Sequence, residues 1–252
     1  MPTVLIRLSA PLQAWGLRSR WEEHATGPRP TKSGLVGLVA NSLGRDRGDD
    51  LADLAQMVFA VRADRPGSVL VDEQTAGGGS FPLTPLTTSR PRTTNNPRWY
   101  GAPRHATVGA TGVVEASHAR SFREPVLVTK HYLGDAAFLA GLTTTDDALA
   151  ARILQALQTP SRLLFLGRRC CPPAHRVGHC LTPHGPDQWP DRIPLLPEAT
   201  DPQPQVWVET PPGDGSEPSP EQPPTTFATR DFRLAHLRAR RATPPAGPEA
   251  NP

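Results

Sequence analysis

The chain has little cysteine, no long apolar run and almost no net charge, and each shortage narrows what it can be. Three cysteines in 252 residues, Cys170, Cys171 and Cys180, are too few and too odd in number for a secreted disulfide framework, and they are read as reduced thiols. No stretch is apolar for long enough to cross a bilayer as a helix, and the N-terminus lacks the charged, apolar and small-residue succession of an export signal. A cytoplasmic protein with no membrane partner is expected. Absent too are a G-x-x-x-x-G-K-[ST] loop, an H-E-x-x-H pair and a G-x-S-x-G elbow. Their absence removes the commonest nucleotide, zinc-protease and serine-hydrolase chemistries.

What charge there is, formally +3, is unevenly placed. Six arginines between Arg90 and Arg123 face one acid, Glu115, and five between Arg152 and Arg176 face none. Asp187 to Glu221 reverses this, with eight acids against Arg192. Two basic blocks on a near-neutral chain predict a polyanion-binding face, the alternative being ordinary surface arginines. Proline (31) and glycine (21) make about a fifth of the chain, so many irregular connections are expected.

The pattern of the chain predicts a strand over Val4 to Leu8, stopped by Pro11. A loop carrying Gln13 and Trp15 follows, with Trp15 either core or a stacking platform. Leu35, Val36, Leu38, Val39 and Leu43 follow helical spacing, with Pro30 and Thr31 at the entry and Gly44 at the stop. Arg29 and Lys32 sit at that helix's start, where the macrodipole disfavours a cation by about 0.3–1 kcal/mol unless an anion is bound. Backbone N–H groups, a Thr31 or Ser33 hydroxyl and two cations suit a phosphate there; the alternative is a solvated lysine on a core helix. A short helix over Leu51 to Met57 and strands over Val58 to Arg62, Val69 to Thr75, Pro125 to Tyr132 and Ala136 to Leu142 are expected next, then a helix over Asp146 to Leu157 capped by Thr145 or Asp146. Leu163 to Cys171 reads as an apolar strand leading into Arg168 and Arg169, which in a strand point to opposite faces. Between them, 77–123 is a polar insertion with Arg90, Arg92, Arg98, Arg104, Trp99 and Tyr100, suited to neutralising phosphates and stacking on bases or else disordered.

The order strand, helix, two strands, helix, strand predicts an α+β, ferredoxin-like core. Residues 1–170 are expected to hold this core with its insertion at about 77–123. Residues 171–235 are expected to form a small C-terminal β region with a flexible loop at 209–225 and a late strand over Phe227 to Leu234, and 236–252 a basic, disordered tail. Cys170, Cys171, His175, His179 and Cys180 carry zinc-type ligands, but with no C-x-x-C pair their spacing is poor. No cofactor or metal is expected. Lys130, His131 and Tyr132 could supply acid, base and charge stabilisation for metal-free RNA cleavage by a 2′-hydroxyl, although consecutive strand residues alternate sides.

Five stretches together resemble one family. They are Leu5-Ile-Arg-Leu-Ser-Ala-Pro-Leu-Gln-Ala-Trp-Gly16, Pro30-Thr-Lys-Ser-Gly-Leu-Val-Gly-Leu38, Phe59-Ala-Val-Arg62, Phe165-Leu-Gly-Arg-Arg-Cys-Cys-Pro172 and Thr226-Phe-Ala-Thr-Arg-Asp-Phe232. The family is CasD, the fifth class of Cas subunit, in subtype I-E CRISPR Cascade. The resemblance implies an RNA-recognition-type core that grips the 5′ handle of CRISPR RNA (crRNA). It also implies a thumb that kinks the RNA and helps cap the backbone filament, with the CasC backbone subunit and the large CasA subunit as neighbours and target DNA close by. Guide pairing would read the target while protein holds the RNA backbone. Relatives in subtype I-C cut precursor RNA, so a metal-independent endoribonuclease using Lys130, His131 and Tyr132 is the alternative, and a purely structural scaffold a third reading. For the noncatalytic RNA-binding subunit, phosphate contacts are expected from Arg29, Lys32, Ser33, Arg168, Arg169 and some of Arg90, Arg92, Arg98 and Arg104. Gln13, Trp15, Lys130 and His131 are expected to position or contact base and sugar.

Overall fold

The computed structural model describes residues 1–16, 23–76, 106–108, 114–116, 126–213, 215–223, 225–228 and 232–245. In chain order the elements are β1 (Thr3–Ser9), β2 (Leu12–Gln13), β3 (Glu23–His24), α1 (Lys32–Ser42), α2 (Ala52–Ala55), β4 (Val58–Arg65) and β5 (Ser68–Ala76). Then come β6 (Ala106–Val108), β7 (Val114–Ala116), β8 (Val126–Gly134), β9 (Ala137–Thr143) and α3 (Asp147–Gln158). The last are β10 (Gly178–Thr182), α4 (Trp189–Arg192), β11 (Gln205–Glu209), β12 (Ser216–Gln222) and β13 (Arg233–Arg241).

Two compact units divide the chain. The larger comprises Met1–Arg18, Ala25–Leu70 and His131–Pro252. It is built on a seven-stranded sheet in the order β10-β1-β9-β4-β11-β13-β12. Each neighbouring pair is antiparallel. Alternation along the strands loads both faces. Val4, Ile6 and Leu8 of β1, Phe59 and Val61 of β4, and Phe138, Ala140 and Leu142 of β9 join the helices in one core. There α1 supplies Leu35, Val36 and Val39, and α3 supplies Leu149, Ile153 and Leu157. Leu5, Ala60, Leu139, Val206 and Val208 point the other way and meet Trp189 and Leu196.

That second face also buries a charge pair. Arg62 Nε and Nη2 donate to the two oxygens of Asp64 at 2.6 and 2.9 Å, and the remaining guanidinium N–H groups reach the carbonyls of Pro190, Ile193 and Pro194 at 2.7–2.8 Å. Asp64 Oδ2 accepts from the amide of Leu196 at 2.8 Å. One ion pair thus ties the 190–196 segment to the sheet, and a covered face replaces an open platform.

The smaller unit comprises Ser19–His24 and Val71–Lys130. Within it β3 runs parallel to β8, pairing Glu23 with Thr129 and His24 with Lys130, and β6 and β7 form an antiparallel pair. The rest of the insertion expected at 77–123, with Arg90, Arg92, Arg98 and Arg104, lies outside the described residues.

Four sequence expectations are corrected. Leu163 to Cys171 is a turn-rich loop, closed by Leu166 N donating to Cys171 O at 2.8 Å and Cys171 N to Arg168 O at 2.9 Å. The stretch 209–225 is not simply a loop, because it carries β12, which pairs with β13. The late strand runs Arg233–Arg241, displaced from Phe227 to Leu234, and takes in half-buried His236 and buried Leu237 from the expected tail. Residues 171–235 do not form a region apart, since β10 is the partner of β1, and β11 satisfies the free edge of β4.

Candidate nucleic-acid interface

Thr31 caps α1 from an extended backbone (φ −100°, ψ 153°), its hydroxyl accepting from Gly34 N at 3.1 Å. The anion expected beside this cap is present, but it is a carboxylate of the chain itself. Arg29 donates through both terminal nitrogens to Glu221 at 2.7 and 3.1 Å, and Lys32 N donates to Glu221 Oε2 at 2.8 Å. Burial acts to raise the Glu221 pKa, yet the hydrogen bond and charge of Arg29, with further donors, outweigh it and hold the group below its ordinary value. Lys32 Nζ donates to Glu209 Oε1 at 2.8 Å, and its side chain is 3 % exposed. Burial lowers the Lys32 pKa against the opposing pull of Glu209. Arg29 also lies 5.5 Å over the Trp207 ring.

Gln13 is wholly buried. Its amide nitrogen donates to the carbonyls of Leu8 and Ala136 at 3.0 and 2.7 Å, and its oxygen accepts from Trp15 Nε1 at 2.9 Å. Trp15 itself is 2 % exposed. Gln13, Trp15, Arg29 and Lys32, all expected to contact RNA, each have an internal hydrogen-bond partner in this structure. Each polar group already has an internal partner, which a buried position demands.

Three glycines explain how the motifs converge. A Cβ on Gly34 would stand 3.0 Å from the Trp15 ring, and one on Gly37 would touch the ring of Phe227 at 3.6 Å. Gly167, at φ +89°, passes so close to the 13–16 loop that a Cβ would fall 1.6 Å from Ala14 O, while Ala14 N donates to Leu166 O at 3.1 Å. A cavity of about 200 Å³ remains where these pieces meet, with Trp15, Ser33, Gly34, Gly167, Phe227 and Phe232 in its lining.

Arg168 and Arg169 follow Gly167 directly. Arg169 is exposed. Arg168 is half-buried, donating to His131 O at 3.1 Å with its guanidinium 4.7 Å over the Tyr132 ring. Ser33 is half-buried, and its hydroxyl lies 3.4 Å from that of Thr31. Of the possible cleavage set, Lys130 belongs to the smaller unit, where Nζ donates to Gln74 at 2.6 Å. His131 Nδ1 is buried with no hydrogen-bond partner among the described residues. Burial raises the Tyr132 pKa, and its hydroxyl sits 3.6 Å from Cys170 Sγ.

No group of three or more metal-type ligands occurs among the described residues. Burial pushes the Cys171 thiol up to about 11, and His175 is turned to Glu198 at 3.3 Å. Sequence reasoning gave no site role to Phe227 and Phe232, which it placed in a late strand and a family motif, although Phe227 answers to the absence of a side chain at Gly37. It also missed Glu209 and Glu221, whose only signal was the acidic block they share.

Fold and site together define a sheet-rich, mixed α/β protein whose seven-stranded sheet is antiparallel, with an aromatic-lined cavity beside the Gly167 loop. The chain belongs to a family described as CRISPR-associated protein (Cas_Cas5), whose sequence pattern matches residues 3–233. It is 31% identical to the "CRISPR system Cascade subunit CasD" of Escherichia coli (strain K12) over 177 residues, 68% of this chain and 67% of the relative. A solved "Crystal structure of Cas protein" superposes with a TM-score of 0.65 at 28% identity, covering 98% of this chain and 99% of that one. A chain of a "CRISPR RNA-guided surveillance complex" does so with a TM-score of 0.66 at 27% identity, covering 98% and 95%. Among the described residues no helix is long and apolar enough to cross a membrane.

Proposed function

We infer that this chain is a crRNA-binding subunit of a CRISPR Cascade surveillance complex, noncatalytic, holding the 5′ handle of the RNA and capping the backbone filament. One observation carries this. The 13–16 loop, the start of α1 and the Gly167 loop, far apart in sequence, meet around one aromatic cavity, and Arg168 and Arg169 follow Gly167 directly in the chain, in a protein of a CRISPR-associated family. The strand order β10-β1-β9-β4, with α1 and α3 on one face, supports a ferredoxin-like core. RNA-recognition modules of that topology stack bases on the open sheet face. Here that face is buried beneath Trp189 and Leu196, so RNA is held at the loops instead. CasC and CasA are the neighbouring subunits on this reading, the 77–123 insertion is the thumb, and the cytoplasm is the compartment. The engagement of Lys130 with Gln74, in the smaller unit, supports a role without cleavage.

The test is the salt dependence of RNA capture. Each single-strand phosphate contact contributes about 0.7 to the slope of log K against log salt. Arg169→Ala is expected to lower the slope by about that amount, and Arg168→Ala likewise. Lys32→Ala is expected to leave the slope unchanged while lowering the melting temperature, because its ammonium faces Glu209. End-labelled repeat RNA incubated in chelator stays full length; a shortened product, or unchanged slopes for both arginine variants, would overturn the assignment.

A further inference from the structure

Two thiols sit side by side at the end of the loop that carries Arg168 and Arg169, and a grip on phosphates uses neither. Cys170 is exposed and Cys171 is wholly buried, yet their sulfurs stand only 3.9 Å apart. The Tyr132 hydroxyl lies 3.6 Å from Cys170 Sγ, and burial raises its pKa, so it stays protonated as a donor toward that sulfur. Burial also keeps Cys171 a thiol, its pKa pushed up to about 11. The pair is thus divided in role: the exposed sulfur meets an oxidant from solvent, and the buried one stands within reach of the product. The backbone couples this pair to the loop. Cys171 N donates to Arg168 O at 2.9 Å and Cys171 O accepts from Leu166 N at 2.8 Å, so both bonds that close the loop end on Cys171. Adjacent Cα atoms lie about 3.8 Å apart across a trans peptide, less than the roughly 4.4–6.8 Å that a disulfide ordinarily spans. A bond between the two sulfurs therefore has to twist the 170–171 link, and with it the hydrogen bonds that hold Arg168 and Arg169 in place. A disulfide under such strain is readily reduced, which makes the change reversible.

We propose that Cys170 and Cys171 are a peroxide-sensitive thiol pair, whose closure to a vicinal disulfide distorts the 166–171 loop and loosens its hold on phosphate. The effect on RNA rests on the reading of Arg168 and Arg169 as phosphate contacts; the thiol chemistry does not. The Cys170 sulfur attacks one oxygen of hydrogen peroxide, the S–O bond forming as the O–O bond breaks, and the thiol becomes a sulfenic acid with release of one water. The Cys171 sulfur then displaces that hydroxyl, the S–S bond forming as the S–O bond breaks, and its proton leaves with the hydroxyl as a second water. Two thiols give up two electrons, and the peroxide takes both. A dithiol reductant returns them.

The experiment treats the assembled, RNA-loaded complex with hydrogen peroxide, blocks free thiols by alkylation and digests it without reductant. The tryptic peptide Cys170–Arg176 carries both thiols. It is expected to escape alkylation and to weigh two hydrogens less than its reduced form, and dithiothreitol should restore it. In the same samples the slope of log K against log salt is expected to fall by about 1.4, the share of two single-strand phosphate contacts, and to recover with the reductant. Cys170→Ser, at an exposed position that spares the core, should abolish both changes. Cys171→Ala should stop at the sulfenic acid, trapped with dimedone, and keep the slope of the untreated complex. A peptide alkylated at both thiols after peroxide, or a sulfinic acid at Cys170 in place of the disulfide, would overturn the thiol pair. A disulfide with an unchanged slope would overturn its coupling to the loop, as would an equal fall in the Cys170→Ser complex. A reduced complex that holds no RNA would overturn the RNA-binding reading, and the mass of the peptide would still decide the thiol pair by itself.

Discussion

Glu221 draws three donors from one short stretch of chain, two from Arg29 and one from the amide of Lys32. Removing one partner from such a buried pair leaves the other charge uncompensated and costs about 3–5 kcal/mol. The pH dependence follows from the sign of the shift. The folded pKa of Glu221 lies below the ordinary 4.5, so its stabilisation is fully present above about that value and is lost as pH falls through the lower, folded pKa. Glu221→Gln is therefore expected to be less stable than the parent by about 3 kcal/mol at pH 7, with the gap narrowing below pH 4.5. Urea denaturation of both proteins across pH 3–7 measures it, and a gap that stays constant would show that the carboxylate's charge is not what matters.

The loop from Leu166 to Cys171 is the element on which the proposed interface turns. Two backbone hydrogen bonds close it, and Gly167 sets it against Ala14 in a conformation reserved for glycine. A side chain there meets both the strain of positive φ, about 1–2 kcal/mol, and a backbone oxygen in its path. Gly167→Ala is expected to displace Arg168 and Arg169 together, reducing RNA affinity by more than either arginine substitution alone. It should leave the circular dichroism of the sheet unchanged, because the loop adds no strand. Affinity equal to the parent's would mean that the loop is not part of the interface. By contrast α1 needs no such device, since Thr31 caps it and Gly34 and Gly37 merely admit the rings of Trp15 and Phe227.

At the scale of the whole molecule, the larger unit is a sheet covered on both faces, and Arg62 fastens the second cover. Five hydrogen bonds leave its guanidinium, two to Asp64 and three to the carbonyls of Pro190, Ile193 and Pro194. Arg62→Ala strands Asp64 in the interior and is expected to cost about 3–5 kcal/mol. The double variant Arg62→Met with Asp64→Leu should recover much of that loss, because apolar packing can replace a buried pair. Denaturant midpoints of the two variants check this; equal losses would place the stabilisation in the carbonyl contacts and not in the ion pair.

The sequence by itself determined what local pattern can express. Short apolar, β-branched runs marked β1, β4 and β9, helical spacing and a capping aspartate marked α3, and Thr31 with Gly44 bounded α1, because each signal lies within one element. Five scattered motifs also pointed to the family. Only the tertiary structure decided the partners. Glu209 and Glu221 answer Lys32 and Arg29 across nearly two hundred residues, so a cation that reads as a phosphate ligand beside its neighbours becomes half of a buried pair. Long-range pairing also decided the fate of the acidic and basic C-terminal stretches. Neither has the local pattern of a strand, yet β12 and β13 form because the sheet extends to receive them. A pleated edge supplies hydrogen-bond partners that no sequence window can display, and a buried charge finds its counterion only once the chain has closed.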